Sequence, residues 1–546
     1  MSSRFELVLA TVLVAALVAL CVMVGWPYAM TRIVHIDEFN NLYSARLLDA
    51  FRSFNASDTV ETYLLAVSRL TRDATSTFEM IAILRVFFFW LLIGGLCIVP
   101  LGLPGLRPLE RATLLVLAFL CVPLWRHGIE VRHDQFLGFG LAALYVLTER
   151  ARQSLSFIGY AAAGAIAVFM QFNAHKGFAL GIPALGFLLF VTDRRGGNTR
   201  RALAGIAAGA ALIIASVFAL YASDGLLARY LQKLLVFSDA ALAAGRFSPM
   251  PSLRYFLLGA PIQTGLAIFA LVIAARRARN RQLDAVTLGA AFFLLSLAAF
   301  IANPNPFPYN MSWLGFGVLI GASQGLPLFA EWAERRRFSA ALAIAGFTFA
   351  TAALTWNRDA FFTTPLDGQR AIITAAEELT SPDQPILDVG GLVATRPPAS
   401  KHWLIHSMVL RDYLDGKRDS VVTIAEKAAP PVLIRYYRWA WLPAKQLAEI
   451  EKTYVPVSDQ LWVLGCRSSG DFTCRLLRTG RYVLKSEHPT SIDGVSQNDG
   501  AIIELAAGEH PLSSEGAVQL AWLGPHAMKL PEVAPFAPMF RGNDLQ

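Results

Sequence analysis

FELVLATVLVAALVALCVMV, residues 5–24, decides the fold class. The stretch carries a single charge, Glu6, and at about 1.5 Å per helical residue it reaches across a hydrocarbon core of about 30 Å. No small-x-small cleavage site with polar flanks follows, so it reads as a retained first span rather than a signal peptide. Outward from it the pattern repeats, with apolar runs near residues 5–27, 78–99, 111–125, 134–148, 155–172, 176–191, 201–221, 256–275, 285–302, 310–329 and 338–356. These predict a mainly α, polytopic membrane helix bundle of about eleven spans, some short enough to be re-entrant or to merge. Composition agrees: of 546 residues, 55% are hydrophobic and 16% charged. A mean hydropathy of +0.46 is too high for a soluble protein unless much of its surface meets lipid.

The net charge of +8 does not point to nucleic acid, because the arginines sit in short loops between apolar runs, as orientation signals do. Alternate loops carry Arg107 and Arg111; Arg150 and Arg152; Arg194, Arg195, Arg200 and Arg201; Arg276, Arg277, Arg279 and Arg281; and Arg335, Arg336 and Arg337. The positive-inside rule makes these loops and the N-terminus cytoplasmic and the remaining loops outer. Two amphipathic helices are expected in the first outer loop, from the spacing of Phe39, Tyr43, Leu47 and Phe51 and of Val60, Tyr63, Leu64, Val67 and Leu70. A third follows span seven, with Leu227, Tyr230, Leu231, Leu234 and Leu235 on one face, placed to cap or gate a lipid-facing cavity.

After Trp356 the composition becomes mixed. Short β-like runs at 386–389, 461–464, 481–485, 501–505 and 518–522 and helical patterns at 369–379 and 444–451 predict a soluble α/β domain over 357–546, following a membrane domain over 1–356. Cys21, Cys97 and Cys121 lie in or beside apolar runs and read as small hydrophobes. Cys466 and Cys474 flank a polar turn, a spacing that a hairpin disulfide bridges in an oxidising compartment and that free thiols also satisfy.

The ionisable motifs gather on the predicted outer side: His35-Ile36-Asp37-Glu38 after span one, Arg132-His133-Asp134 before span four, His175-Lys176-Gly177 opening span six and Asn303-Pro304-Asn305-Pro306-Phe307-Pro308-Tyr309 before span ten. Charges beside lipid are costly, so several meeting at one face mark a candidate site. In this order the motifs resemble the GT-C superfamily of integral-membrane glycosyltransferases, in particular the bacterial branch related to protein O-mannosyltransferases and lipid A aminoarabinose transferases. The resemblance covers about residues 1–360.

It implies a sugar donor carried on polyprenyl phosphate, transfer with inversion, and a lipid-linked glycan, lipopolysaccharide or protein acceptor. The setting it implies is the outer face of a bacterial-type inner membrane, with the C-terminal domain periplasmic. It puts the first-loop catalytic acid on Asp37, with Glu38 beside it; Asp37 also suits a helix N-cap, and one residue can do both. A departing lipid phosphate calls for fixed cations, for which Lys176, Arg132 and Arg254 are candidates, although a lysine opening a span also snorkels to the interface. Asp134 is a supporting acid or a helix cap, and His133 and His175 are supporting polar groups. Tyr309, in a proline-rich loop, packs against substrate or belongs to the interfacial aromatic belt. A divalent metal (Mn2+, Mg2+ or Zn2+) has only weak candidate ligands in His35 and Asp134, because the histidines lie on separate loops with no ligand spacing. Gly390-Gly391 is too short for a phosphate loop. The competing class is a polytopic transporter or lipid flippase. Those folds favour binding groups at mid-membrane on broken helices and internal repeats, and neither feature is evident here.

Overall fold

The computed structural model describes residues 3–51, 62–236, 248–280, 282, 284–304, 306–333, 337–358, 366–388, 391–400 and 413–533. They form two compact units: residues 1–32, 59–63 and 84–364, and residues 33–58, 64–83 and 365–546. The units do not follow a single cut at residue 356, because the helices that follow the first span belong with the C-terminal part of the chain.

The first unit is helical. It opens with α1 (Ser3–Leu20), one π turn over Cys21–Gly25, and α2 (Trp26–Thr31). After α5 (Thr77–Gly102, in this unit from Leu84 on), α6 (Pro108–Phe119) and α7 (Val122–Gly128) form a pair bent by 55°. At the break Cys121 is extended, and Pro123, which has no N–H to donate, opens the second helix. There follow α8 (Asp134–Ala151), α9 (Phe157–Asn173), α10 (Gly177–Arg194), α11 (Thr199–Ser223), α12 (Leu227–Val236) and helices over Met250–Gly259, Pro261–Arg279, Ala285–Ala302, Met311–Trp332 and Arg337–Arg358. Helix α9 packs against α11 through glycines. A Cβ on Gly209 would lie 1.8 Å from the Ala161 carbonyl oxygen, and one on Gly164 2.0 Å from that of Ile206, so only glycine permits the approach.

All eleven apolar segments are helical. Among the described residues seven helices are long and apolar enough to cross a membrane, or eight if the bent pair is one span, and Phe157–Asn173 and Ala340–Trp356 are shorter apolar helices. The expected span at 134–148 falls outside this count; α8 carries Asp134, Glu149 and Arg150 within its 18 residues.

The second unit joins α3 (Ile36–Phe51) and α4 (Tyr63–Leu70, from Leu64 on) to the C-terminal part. The apolar face of α3 is covered inside the unit: Phe39, Tyr43 and Leu47 are buried, and the Tyr43 hydroxyl donates to the Ser400 carbonyl. The strands are β1 (Ile386–Leu387), β2 (Val432–Ile434), β3 (Tyr454–Pro456), β4 (Leu461–Ser469), β5 (Phe472–Leu476), β6 (Gly480–Ser486), β7 (Thr490–Ile492), β8 (Val495–Gln497), β9 (Ile502–Leu505), β10 (Gly508–Ser513) and β11 (Ala517–Trp522). One sheet has the order β1-β2-β4-β11-β6-β9 with β3 on β4, and the other β5-β10-β7-β8. Among the described strands only β1 and β2 pair in parallel, through Ile386↔Val432 and Leu387↔Leu433. Helices over Asp367–Glu378, Val421–Ala428 and Ala444–Ile450 precede the β-rich end. The Cys466–Cys474 disulfide is formed and links β4 of one sheet to β5 of the other.

Candidate active site

In the first unit the turn from α7 to α8 is short and almost wholly buried: Glu130 is 0%, Arg132 5%, Asp134 1% and Gln135 1% exposed. Buried charges persist only when paired and hydrogen-bonded, and the pairing here is dense. The Glu130 carboxylate lies 3.0 Å from His127 Nδ1, 3.6 Å from an Arg32 Nη and 3.9 Å from Arg132 Nε. Gln135 Nε2 donates to the carbonyls of His127 (2.9 Å) and Glu130 (2.7 Å), fixing the turn from within. Arg85 donates to the Arg32 carbonyl and Arg32 to that of Arg126, which holds the cation opposite Glu130 in place.

Asp134 is the hub on the other side of Arg132. Its carboxylate lies 3.5 Å from Arg132 Nε, 3.6 Å from His133 Nε2 and 3.7 Å from Lys176 Nζ. It occupies the first turn of α8, next to the positive helix end and directly after the N-cap His133, whose side chain makes no cap hydrogen bond. The Asp134 carboxylate is shared by the cations of the cluster. Lys176 precedes α10 and donates to Asn310 Oδ1 at 2.6 Å. The Tyr309 ring lies under the Arg132 guanidinium at 3.4 Å and 5.8 Å from Lys176 Nζ, so its face carries a cation. The 3-10 turn Pro308–Asn310 that presents both residues is tethered where Ser252 Oγ donates to the Pro306 carbonyl.

Arg132, His133, Asp134, Lys176 and Tyr309 thus converge as the sequence order suggests. His175 is half-buried next to Lys176. Arg254 is exposed on its helix and takes no part in the ion pairs of this cluster. Sequence reading missed Glu130, Gln135 and Asn310. Glu130 and Gln135 flank the Arg-x-Asp motif, and Asn310 directly follows Tyr309; their chemistry emerges only through partners elsewhere in the chain.

The acidic pair lies in the second unit, where the start of α3 corrects the capping expectation for Asp37. His35, not Asp37, is the N-cap. Its Nδ1 accepts from the Asp37 N–H at 3.3 Å, and the buried Glu38 carboxylate reaches back to accept the His35 N–H at 2.9 Å, half of a capping box. The Asp37 side chain, 27% exposed, lies 3.6 Å from His35 Nδ1. Gln369, missed in the sequence, clamps the approach to this helix by accepting the Val34 N–H (2.7 Å) and donating to the Val34 carbonyl (2.9 Å). Farther on, Asp388 accepts the N–H groups of Gly391 and Val393, which ties that loop to a carboxylate rather than a phosphate.

Among the described residues no three His, Cys, Asp or Glu side chains converge to hold a metal. Asp134 faces Arg132 and Lys176, an environment unsuited to a divalent cation, and His35 with Asp37 supplies two ligands.

Among solved structures the chain is similar to ArnT from Cupriavidus metallidurans bound to undecaprenyl phosphate, with 14% identity over 83% of this chain and 97% of that one and a TM-score of 0.55. The fold is GT-C. Two oligosaccharyltransferase structures from Archaeoglobus fulgidus are less alike. One, complexed with Zn and sulfate, has a TM-score of 0.48 and 13% identity over 91% of this chain and 73% of that one. The other, AglB with an inhibitory peptide and a dolichol-phosphate, has a TM-score of 0.45 and 12% identity over 92% and 74%. No protein-family model and no curated protein matches the chain. Within this fold, the Arg132–Asp134–Lys176 cluster sets a buried carboxylate between buried Arg132 and half-buried Lys176, with the Tyr309 ring against the cations.

Proposed function

We propose that the chain is a glycosyltransferase that moves a sugar, with inversion, from a polyprenyl-phosphate donor to a lipid-linked glycan, lipopolysaccharide or protein acceptor. The observation that carries the reading is the pairing of Lys176 and Arg132 around Asp134, in a GT-C fold whose neighbour ArnT holds undecaprenyl phosphate. In the reaction the acceptor oxygen bonds to the anomeric carbon as the bond from that carbon to the phosphate oxygen breaks, and the electron pair leaves with the lipid phosphate. Lys176 and Arg132 neutralise the growing charge, fixed in advance by Asn310, Tyr309 and Asp134. Asp37 accepts the acceptor's proton. This role rests on its position after the first span, beside the cap that His35 and Glu38 make. The same reading places the reaction at the outer face of a bacterial-type inner membrane, with the N-terminus cytoplasmic and the C-terminal domain periplasmic, where an oxidising compartment suits the Cys466–Cys474 disulfide.

The test is sugar transfer by the purified protein in lipid nanodiscs, offered radiolabelled polyprenyl-phosphate sugars and membrane extract. Transfer by wild type that is lost in a folded Asp37→Asn protein supports the reading. Absence of transfer across a broad donor panel moves the weight to a transporter.

A further inference from the structure

Helices α1, α5 and α6 enclose a groove of about 880 Å³ within the first unit. From α1 through the π turn to the start of α2 its wall runs from Leu7 to Trp26, close to 30 Å at about 1.5 Å per residue, so it extends along most of the bilayer's hydrocarbon thickness. Val14, Val18, Trp90 and Ile93 are typical of the lining, and Thr11 turns its hydroxyl back onto the Leu7 carbonyl at 2.8 Å. The surface is therefore apolar and complementary to hydrocarbon.

One end of the groove is cationic. Leu7 of α1, Leu101 of α5 and Pro108 and Arg111 of α6 line the same end. Arg111 holds carbonyls at the C-terminal end of α5 and just past it, donating to Pro100, Leu101 and Leu103. Arg107 is exposed next to Pro108, and exposed Arg4 lies three residues before Leu7, on the same helix face. Two carboxylates are near in sequence. Glu110 is buried and accepts the Arg107 N–H, and Glu6, two residues beyond Arg4, lies about 200° round the helix. This end of the groove thus has Arg111 in its lining and exposed Arg107 and Arg4 one and three residues from lining positions, the complement of a lipid with an anionic head and apolar tails.

We propose that this groove is a binding site for an anionic phospholipid, its acyl chains along α1 and its phosphate at Arg4, Arg107 and Arg111. It stands apart from the transfer reaction, so its test does not depend on activity. At about 1 kcal/mol per arginine near a membrane surface, removing two of them weakens retention roughly tenfold or more at low ionic strength.

The experiment is native mass spectrometry of the purified full chain from nonionic detergent, titrated with phosphatidylglycerol or with phosphatidylcholine of the same acyl composition. Wild type is expected to retain phosphatidylglycerol at roughly tenfold lower concentration than phosphatidylcholine. Arg4→Gln combined with Arg107→Gln lowers phosphatidylglycerol retention to the phosphatidylcholine level. Val14→Trp, at a position already 37% exposed and so tolerant of a larger side chain, fills the groove and abolishes the retained adduct of either lipid. Equal retention of the two lipids by wild type, or retention unchanged in either variant, overturns the proposal.

Discussion

Replacing Lys176 with glutamine separates charge from shape at the proposed donor site. The ammonium donates to Asn310 at 2.6 Å and lies 3.7 Å from Asp134, with 30% of the side chain exposed. Glutamine keeps most of the length and a donor for Asn310 but removes the positive charge. Asp134 keeps Arg132 and His133 as partners, so the fold is expected to hold, with at most a few degrees' change in Tm. Removing one fixed donor that stabilises developing negative charge costs about 2.7–4 kcal/mol in comparable sites, or about a hundred- to a thousandfold in rate. Because the leaving phosphate gains charge towards the transition state, the loss belongs mainly in kcat. Lys176→Arg should recover part of it, since the charge returns in a different geometry. The assay is initial-rate transfer in nanodiscs over a range of polyprenyl-phosphate sugar concentrations. A Lys176→Gln protein within about threefold of wild-type kcat at saturating donor would refute the assignment.

Four other outcomes are open to direct measurement. Asp37→Asn should lower transfer by a factor on the order of a hundred or more with little change in thermal stability. Glu38→Ala should instead lower unfolding free energy by about 1 kcal/mol, because Glu38 completes the cap of α3, and denaturant titration distinguishes the two. Glu130→Gln removes the buried carboxylate between Arg32, His127 and Arg132, leaving buried cations uncompensated, and should destabilise the first unit by about 3–5 kcal/mol; a thermal melt in nanodiscs indistinguishable from wild type contradicts this. In the second unit His510 donates from Nδ1 to Asp493 (2.7 Å) and from Nε2 to the Ala506 carbonyl (2.9 Å), which requires the imidazolium. Burial opposes that charge, but the two hydrogen bonds and the Asp493 carboxylate outweigh it, raising the pKa above the ordinary histidine value. Its stabilisation is complete below the unfolded histidine pKa and fades as pH rises through the folded one. His510→Gln should flatten that part of the stability-versus-pH curve, which urea titrations at stepped pH can follow.

The sequence revealed the helices because apolar runs of span length have few alternatives, and the β-rich end because short alternating runs are bounded by turn residues. It also placed Arg132, Asp134, Lys176 and Tyr309 at one site, since each opens or precedes a span on the same side. Partners that depend on distant chain segments were illegible. Asn310 gains its role only when Lys176, 134 residues earlier, is brought to it, and nothing local marks Gln369 as the clamp on Val34. An apolar stripe such as that on α3 is the pattern of a helix lying along a membrane surface. Phe39 and Tyr43 pack instead inside a folding unit whose other members lie mostly beyond residue 365, and periodicity records that a face is covered without recording by what.

The clamp between Val34 and Gln369 joins residues 335 positions apart in the chain. At about 5–20 residues per second, a ribosome takes roughly 20–70 s to synthesise the intervening chain. During that interval the membrane helices between them can insert and associate, while the segment bearing Asp37 waits for the partners of its own unit. The proposed acid is therefore among the last groups to be positioned during biogenesis. Premature termination before residue 365 would leave an inserted helical bundle whose first loop has no core to join, a natural substrate for membrane quality control.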